Sequence, residues 1–158
     1  MNGSDIMRRV LQLARTGMDR EFGYPYGCVI VKNGEVVGEA HNEVLATHDP
    51  TAHAELLAIR RASAKLQTHD LSGCELYTNA TPCCMCMSSM LWANISRAYY
   101  ILPEQESVSI GFGDRHFYDE VSRPIDKREI IPMVHLPSLE SEALAICQEW
   151  VANHASKT

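Results

Sequence analysis

Two stretches constrain this chain more than any other feature, "DPTAHAELLAIRRA" and the later "TPCCMC", because each sets metal-binding side chains beside a helix-start signal. In the first, Asp49, Pro50 and Thr51 supply a capping acid, a proline suited to a first helical turn and a capping threonine. The pattern after them stays helical to about Gln67. In the second, Pro82 favours a helix start just ahead of Cys83 and Cys86, which as i and i+3 share one helix face. The unpaired N–H groups and positive dipole end of a first turn stabilise thiolates there. Two thiolates need a cation, and His53 can offer a neutral imidazole to the same ion. Three ligands of mixed N and S type leave one tetrahedral zinc position open for water or hydroxide, the arrangement of a catalytic site; structural zinc closes all four. Glu55, two residues from His53, is then placed to accept a proton from that water and pass it on.

The rest of the chain has to build a core around this pair. With 158 residues, 46% of them apolar, and no linker, repeat or low-complexity tract, residues 1–158 read as one domain. Residues 5–20 carry an amphipathic helical period, and "CVIVKNGEVVGEA" is a hairpin around Asn33-Gly34. "CELYTNA" reads as a strand, "CMCMSSMLWA" as a helix, "SRAYYIL" as a strand and "EQESVSI" as a short helix. "REIIPMVHL" is expected to be a fifth strand, at a sheet edge because of Pro132, and an amphipathic helix follows from Leu139. Alternation of strands and helices predicts a three-layer α/β domain.

Charge and cysteine usage narrow the function. Fourteen basic residues stand against twenty acidic ones, and the basic ones are scattered, so a phosphate-tracking nucleic-acid surface is not expected. The N-terminal "MNGSDIMRRVLQLA" lacks a signal peptide's apolar run and nothing else approaches a membrane span, so a cytoplasmic location is expected. In that compartment six cysteines argue for metal binding or catalysis rather than disulfides. A redox CxxC is the plainer alternative, but no thioredoxin-like pattern surrounds this one. Cys28, Cys74 and Cys147 sit in apolar patterns and read as core, as do Met85, Met87 and Met90. His41, His69, His116, His135 and His154 have no partner motif and read as surface or capping residues.

"HAE" followed by "PCCMC" is the H-x-E…P-C-x-x-C signature of the zinc deaminases. The chain resembles the cytidine deaminase superfamily over nearly its whole length. Within it "PYGCVIVKNGEVVGEAHNEV", "DPTAHAE", "MLWA" and "GFGDRHFYDE" are most similar to the bacterial guanine deaminases. The resemblance implies a five-stranded, mixed but mostly parallel sheet flanked by helices, a homodimer in which C-terminal segments can be exchanged, and hydrolysis of a purine amino group. It also implies one zinc per chain held by His53, Cys83 and Cys86, with Glu55 as proton shuttle and Asp114 as second proton carrier. Asn42, the backbone N–H of Ala54, Tyr26 and Trp92 are implied to contact the base. Related substrates are ammeline, guanosine, cytosine and cytidine, and the more distant alternative is adenosine in tRNA. Thr81 stands where many members have glutamate and Cys84 where proline is common, and residues 149–158 hold no tyrosine of the kind that closes the pocket in guanine deaminases.

Overall fold

The computed structural model describes residues 2–154. Its first compact unit runs through Arg115 and the second begins at His116. Helix α1 (Gly3–Asp19) is capped by Asn2, whose side chain accepts from the Asp5 N–H at 2.9 Å. It buries Ile6, Val10 and Ala14 of the apolar stripe that its period predicted, together with Gly17, while Leu13 is partly buried and Met18 exposed. Strands β1 (Gly27–Lys32) and β2 (Glu35–His41) form the hairpin, with both turn residues, Asn33 and Gly34, at positive φ (53° and 81°). A short α2 (Val44–Thr47), α3 (Ala54–Leu66), β3 (Cys74–Ala80), α4 (Cys84–Trp92), β4 (Arg97–Leu102) and α5 (Glu104–Ser109) complete the unit.

The strand order is β2-β1-β3-β4. β1 pairs antiparallel with both β2 and β3, and only β3 and β4 are parallel. The sheet is therefore mixed as expected, but it is not mostly parallel, and among the described residues it has four strands rather than five. The missing strand is "REIIPMVHL", whose residues 128–136 adopt bends and irregular backbone. Pro132 removes a ladder donor there, and a strand exists only where another edge pairs with it.

Alternation along β1 sends its side chains to two cores. Val29 and Val31 join Ile6, Val10 and Tyr77 beneath α1. Cys28 and Ile30 join Leu76, Ala54, Ala58, Ala62, Cys86 and Met90 beneath α3 and α4. Ile30, Leu76 and Val29 are completely buried, each contributing about 1.5–3 kcal/mol, so β1 and β3 form a rigid floor for what stands above them. Small side chains set the spacing of α3 on that floor. A Cβ at Gly38 of β2 would lie 2.4 Å from the Ala58 carbonyl oxygen, closer than packed atoms approach.

The second unit holds α6 (Arg115–Ser122, which starts at the boundary) and α7 (Glu140–His154), with 3₁₀ turns at Ile125–Lys127 and Pro137–Leu139. Glu120 organises it by accepting the backbone N–H groups of Ile130 and Ile131 at 2.8 and 3.3 Å. The C-terminal helix forms where its period placed it, but no described residue of α7 is buried. No helix among the described residues is long and apolar enough to cross a membrane.

Candidate active site

Both ligand motifs lie at helix starts, the first two residues later than the Thr51 cap suggested. Asp49-Pro50-Thr51 is a separate turn, with Asp49 Oδ1 accepting from the Thr51 N–H and hydroxyl at 2.8 and 2.7 Å. Helix α3 begins at Ala54, so His53 is its N-cap residue; Cys83 is likewise the N-cap of α4. Neither side chain caps its own helix, which leaves both free to turn outward. Cys86, one turn into α4, completes the set.

The three ligand atoms converge. His53 Nδ1 lies 3.6 Å from Cys83 Sγ and 3.5 Å from Cys86 Sγ, and all three atoms fall within 4.8 Å of one another. A tetrahedral zinc with S ligands at about 2.3 Å and an N ligand at about 2.05 Å requires N···S separations of about 3.6 Å. The cluster has that spacing without adjustment. Its charges point the same way. Cys83 is lowered to about 4, first by the hydrogen bond from the Cys86 thiol and then by His53, against the opposing cost of burial. That bond and burial drive Cys86 far upward, while the bond to Cys83 raises His53. The protein alone sustains one thiolate at this point, and a divalent cation is what allows both to ionise. The cluster fits one Zn²⁺ per chain.

Cys86 is buried, but His53 and Cys83 are only partly so, and the site opens on their side. Glu55 closes the inner side. It points from the first turn of α3 onto the sheet, 6% exposed, where burial pushes its carboxyl above the ordinary range. Its Oε1 accepts from the Thr78 hydroxyl at 3.2 Å, and its Oε2 lies 3.5 Å from Cys86 Sγ. A carboxylate so placed ionises less readily than an exposed one and stands beside the ligands.

Asn42, only 1% exposed, lies just beyond β2. Its Oδ1 accepts the backbone N–H groups of Tyr24 and Val44, both at 3.1 Å. Two donors on one atom identify that atom as the oxygen, so Nδ2 is left to donate elsewhere. Tyr26 is raised to about 12 by burial first, then by the negative charges of Glu55, Asp114 and Cys83. The negative charge of Asp114, in the loop after α5, also acts on His53 and Cys84. Ala54 is the first residue of α3, where an N–H has no acceptor within the helix.

Trp92 is not brought to this cluster within the chain. It ends α4, about 13 Å from Cys83 at 1.5 Å per residue, is 86% exposed, and lines a surface groove with His69, Ser88, Leu91 and Asn94. Three residues of the neighbourhood went unread in the sequence. Thr78 holds Glu55. Asn79 clamps the backbone on both sides of Tyr26, accepting from Gly27 N–H at 2.8 Å and donating to the Pro25 carbonyl at 2.9 Å. Phe112 packs edge-on against Tyr26 and Tyr24, with ring centroids 5.5 and 6.2 Å away. The available signal was asparagine inside a strand, a position that disfavours it unless its amide has work to do.

Known proteins are similar to this chain in sequence and fold. The zinc-binding region of the cytidine and deoxycytidylate deaminases matches residues 2–102. Guanine deaminase of Bacillus subtilis is 38% identical over 157 residues, 99% of this chain and 98% of that protein. An X-ray structure of guanine deaminase from that organism has a TM-score of 0.88 at 36% identity, covering 95% of this chain and 94% of its own. A crystal structure of a protein called NE0047 in complex with 2,6-diaminopurine has a TM-score of 0.65 at 33% identity, over 68% of this chain and 60% of its own. The tRNA-specific adenosine deaminase of Aquifex aeolicus is 46% identical over 76 residues, 48% of this chain and 50% of that protein.

Proposed function

Because this chain belongs to the cytidine and deoxycytidylate deaminase family, we propose that it is a zinc-dependent hydrolase converting guanine and water to xanthine and ammonia. The observation that supports this reading is a buried carboxylate, Glu55, beside the His53/Cys83/Cys86 cluster. Bound zinc supplies Lewis-acid activation of a water molecule. The chain's own residues do the rest. Asn42, its oxygen already engaged, donates Nδ2–H to the carbonyl edge of the purine. The Ala54 N–H contacts the reacting ring, and Tyr26, backed by Phe112, supplies an aromatic wall. Glu55 takes a proton from water and delivers it to the ring nitrogen as the C2–O bond forms. As Asp114 protonates the exocyclic nitrogen, Glu55 takes the proton of the C2 hydroxyl; the C2–N bond breaks, C2=O forms, ammonia leaves, and the proton now on Glu55 replaces the one Asp114 gave up, by way of solvent.

One deaminase domain acting as a homodimer completes the proposal. Leu91, Trp92, Tyr100 and Ile101 are exposed on the first unit, and Leu144, Ile146, Trp150 and Val151 on α7. Apolar surface of this kind on both units suits burial against a second copy, including exchange of C-terminal segments. A tRNA substrate has the partial Aquifex aeolicus match in its favour, but a net charge of -6 works against phosphate contacts. The deciding experiment is ammonia release from guanine, guanosine, adenine, cytosine, cytidine, ammeline and a tRNA anticodon stem. Guanine is expected to give the highest kcat/KM; release only from a nucleoside or tRNA refutes the substrate assignment and leaves the metal site standing.

A further inference from the structure

We propose that Thr78 is a positioning residue of the reaction, its hydroxyl orienting the Glu55 carboxylate; this rests on the deaminase reading of the site. Thr78 lies in β3, fully buried, directly across the antiparallel ladder from Cys28 of β1. Both strands belong to the rigid floor of the sheet, so the Thr78 hydroxyl is a fixed point beneath the first turn of α3. The Glu55 side chain is buried, with Thr78 of β3 and Cys86 of α4 as its hydrogen-bond partners. Few groups there can satisfy a carboxylate. The donors that reach it are its own backbone N–H, the Cys86 sulfur at 3.5 Å and the Thr78 hydroxyl at 3.2 Å.

The two carboxylate oxygens therefore have different neighbours. Oε1 is tied to the sheet by Thr78, and Oε2 is turned toward the ligand cluster through Cys86. A terminal carboxylate torsion is broad and nearly two-fold by itself. One hydrogen bond from a rigid strand removes that freedom and keeps a chosen oxygen facing the site. Valine retains the branched shape of threonine and lacks the hydroxyl; serine retains the hydroxyl and lacks the methyl.

The pair of variants separates orientation from packing. In the zinc-loaded enzyme Thr78→Val is expected to lower kcat for guanine by about 10- to 100-fold while KM stays within about twofold and zinc content is unchanged. Thr78→Ser is expected to restore kcat to within about threefold of wild type although it loses a buried methyl. Urea unfolding supplies a readout independent of turnover. Thr78→Val should lower the midpoint in the Glu55 protein and not in a Glu55→Ala background, whereas Thr78→Ser should lower it equally in both. Additive midpoints, a Thr78→Val enzyme with wild-type kcat, or a Thr78→Ser enzyme as slow as Thr78→Val would each overturn the assignment. If wild type gives no ammonia from any base, the substrate reading fails, and the unfolding cycle still decides whether Thr78 holds Glu55.

Discussion

Replacing Gly23 by alanine would set a Cβ 2.1 Å from Asn42 Oδ1 and 2.7 Å from the Asn42 carbonyl oxygen. Neither atom can retreat cheaply. Asn42 is fully buried, its N–H donates to the Tyr26 carbonyl at 2.9 Å, and its Oδ1 holds Tyr24 and Val44. Relief requires either an outward shift of the 21–24 loop or rotation of the Asn42 amide, which breaks both bonds to Oδ1. Two hydrogen bonds at about 1 kcal/mol each, or an overpacked site at about 1–3 kcal/mol, put the cost at about 2–3 kcal/mol. At about 2–4 °C per kcal/mol for a chain of this size, Tm should fall by about 4–12 °C. The functional loss should be larger than the structural one. An amide displaced by an ångström no longer meets the purine edge, so kcat/KM for guanine should fall by about 10- to 100-fold with zinc content intact. Differential scanning fluorimetry, metal analysis and steady-state ammonia release measure all three. A Gly23→Ala protein with wild-type Tm and wild-type kcat/KM would refute the close approach and, with it, the fixed orientation of the Asn42 amide.

Glu55→Gln should retain zinc and lose at least about 100-fold in kcat, since an amide carries no proton in this step. The same change should raise the Tm of the zinc-free protein, because the glutamine oxygen can still accept from Thr78 while an ionisable group is removed from a buried position. Cys83→Ala should instead purify without zinc, and elemental analysis of the two variants side by side distinguishes a ligand from a proton carrier. Asp114→Asn should lower guanine turnover by about 100-fold at unchanged metal content; wild-type turnover would remove Asp114 from the reaction.

The metal chemistry was legible in the sequence because it is local: an i, i+3 cysteine pair and a histidine beside an acid are legible as spacings, whereas the capping signal at Asp49-Pro50-Thr51 marks a separate turn ahead of α3. The hairpin was legible for the same reason, since Asn33 and Gly34 adopt positive φ whatever packs around them. Other features depend on which elements become neighbours, and no local pattern states that. The order β2-β1-β3-β4 puts Thr78 under Glu55 and Asn79 beside Pro25 and Gly27, partners separated by 23, 54 and 52 residues. The sequence marks Asn42 as a ligand contact, but only packing turns its oxygen onto two backbone donors and leaves its nitrogen out of those bonds. "REIIPMVHL" has the composition of a strand, yet a strand is a relation between two edges, and residues 128–136 form none. Trp92 follows the ligand helix closely in sequence, but at 1.5 Å per residue α4 carries it out of reach of its own Cys83. Side-chain chemistry and local geometry belong to the sequence; which oxygen of Glu55 faces the metal ligands belongs to the tertiary structure, because only the sheet brings Thr78 to the other one.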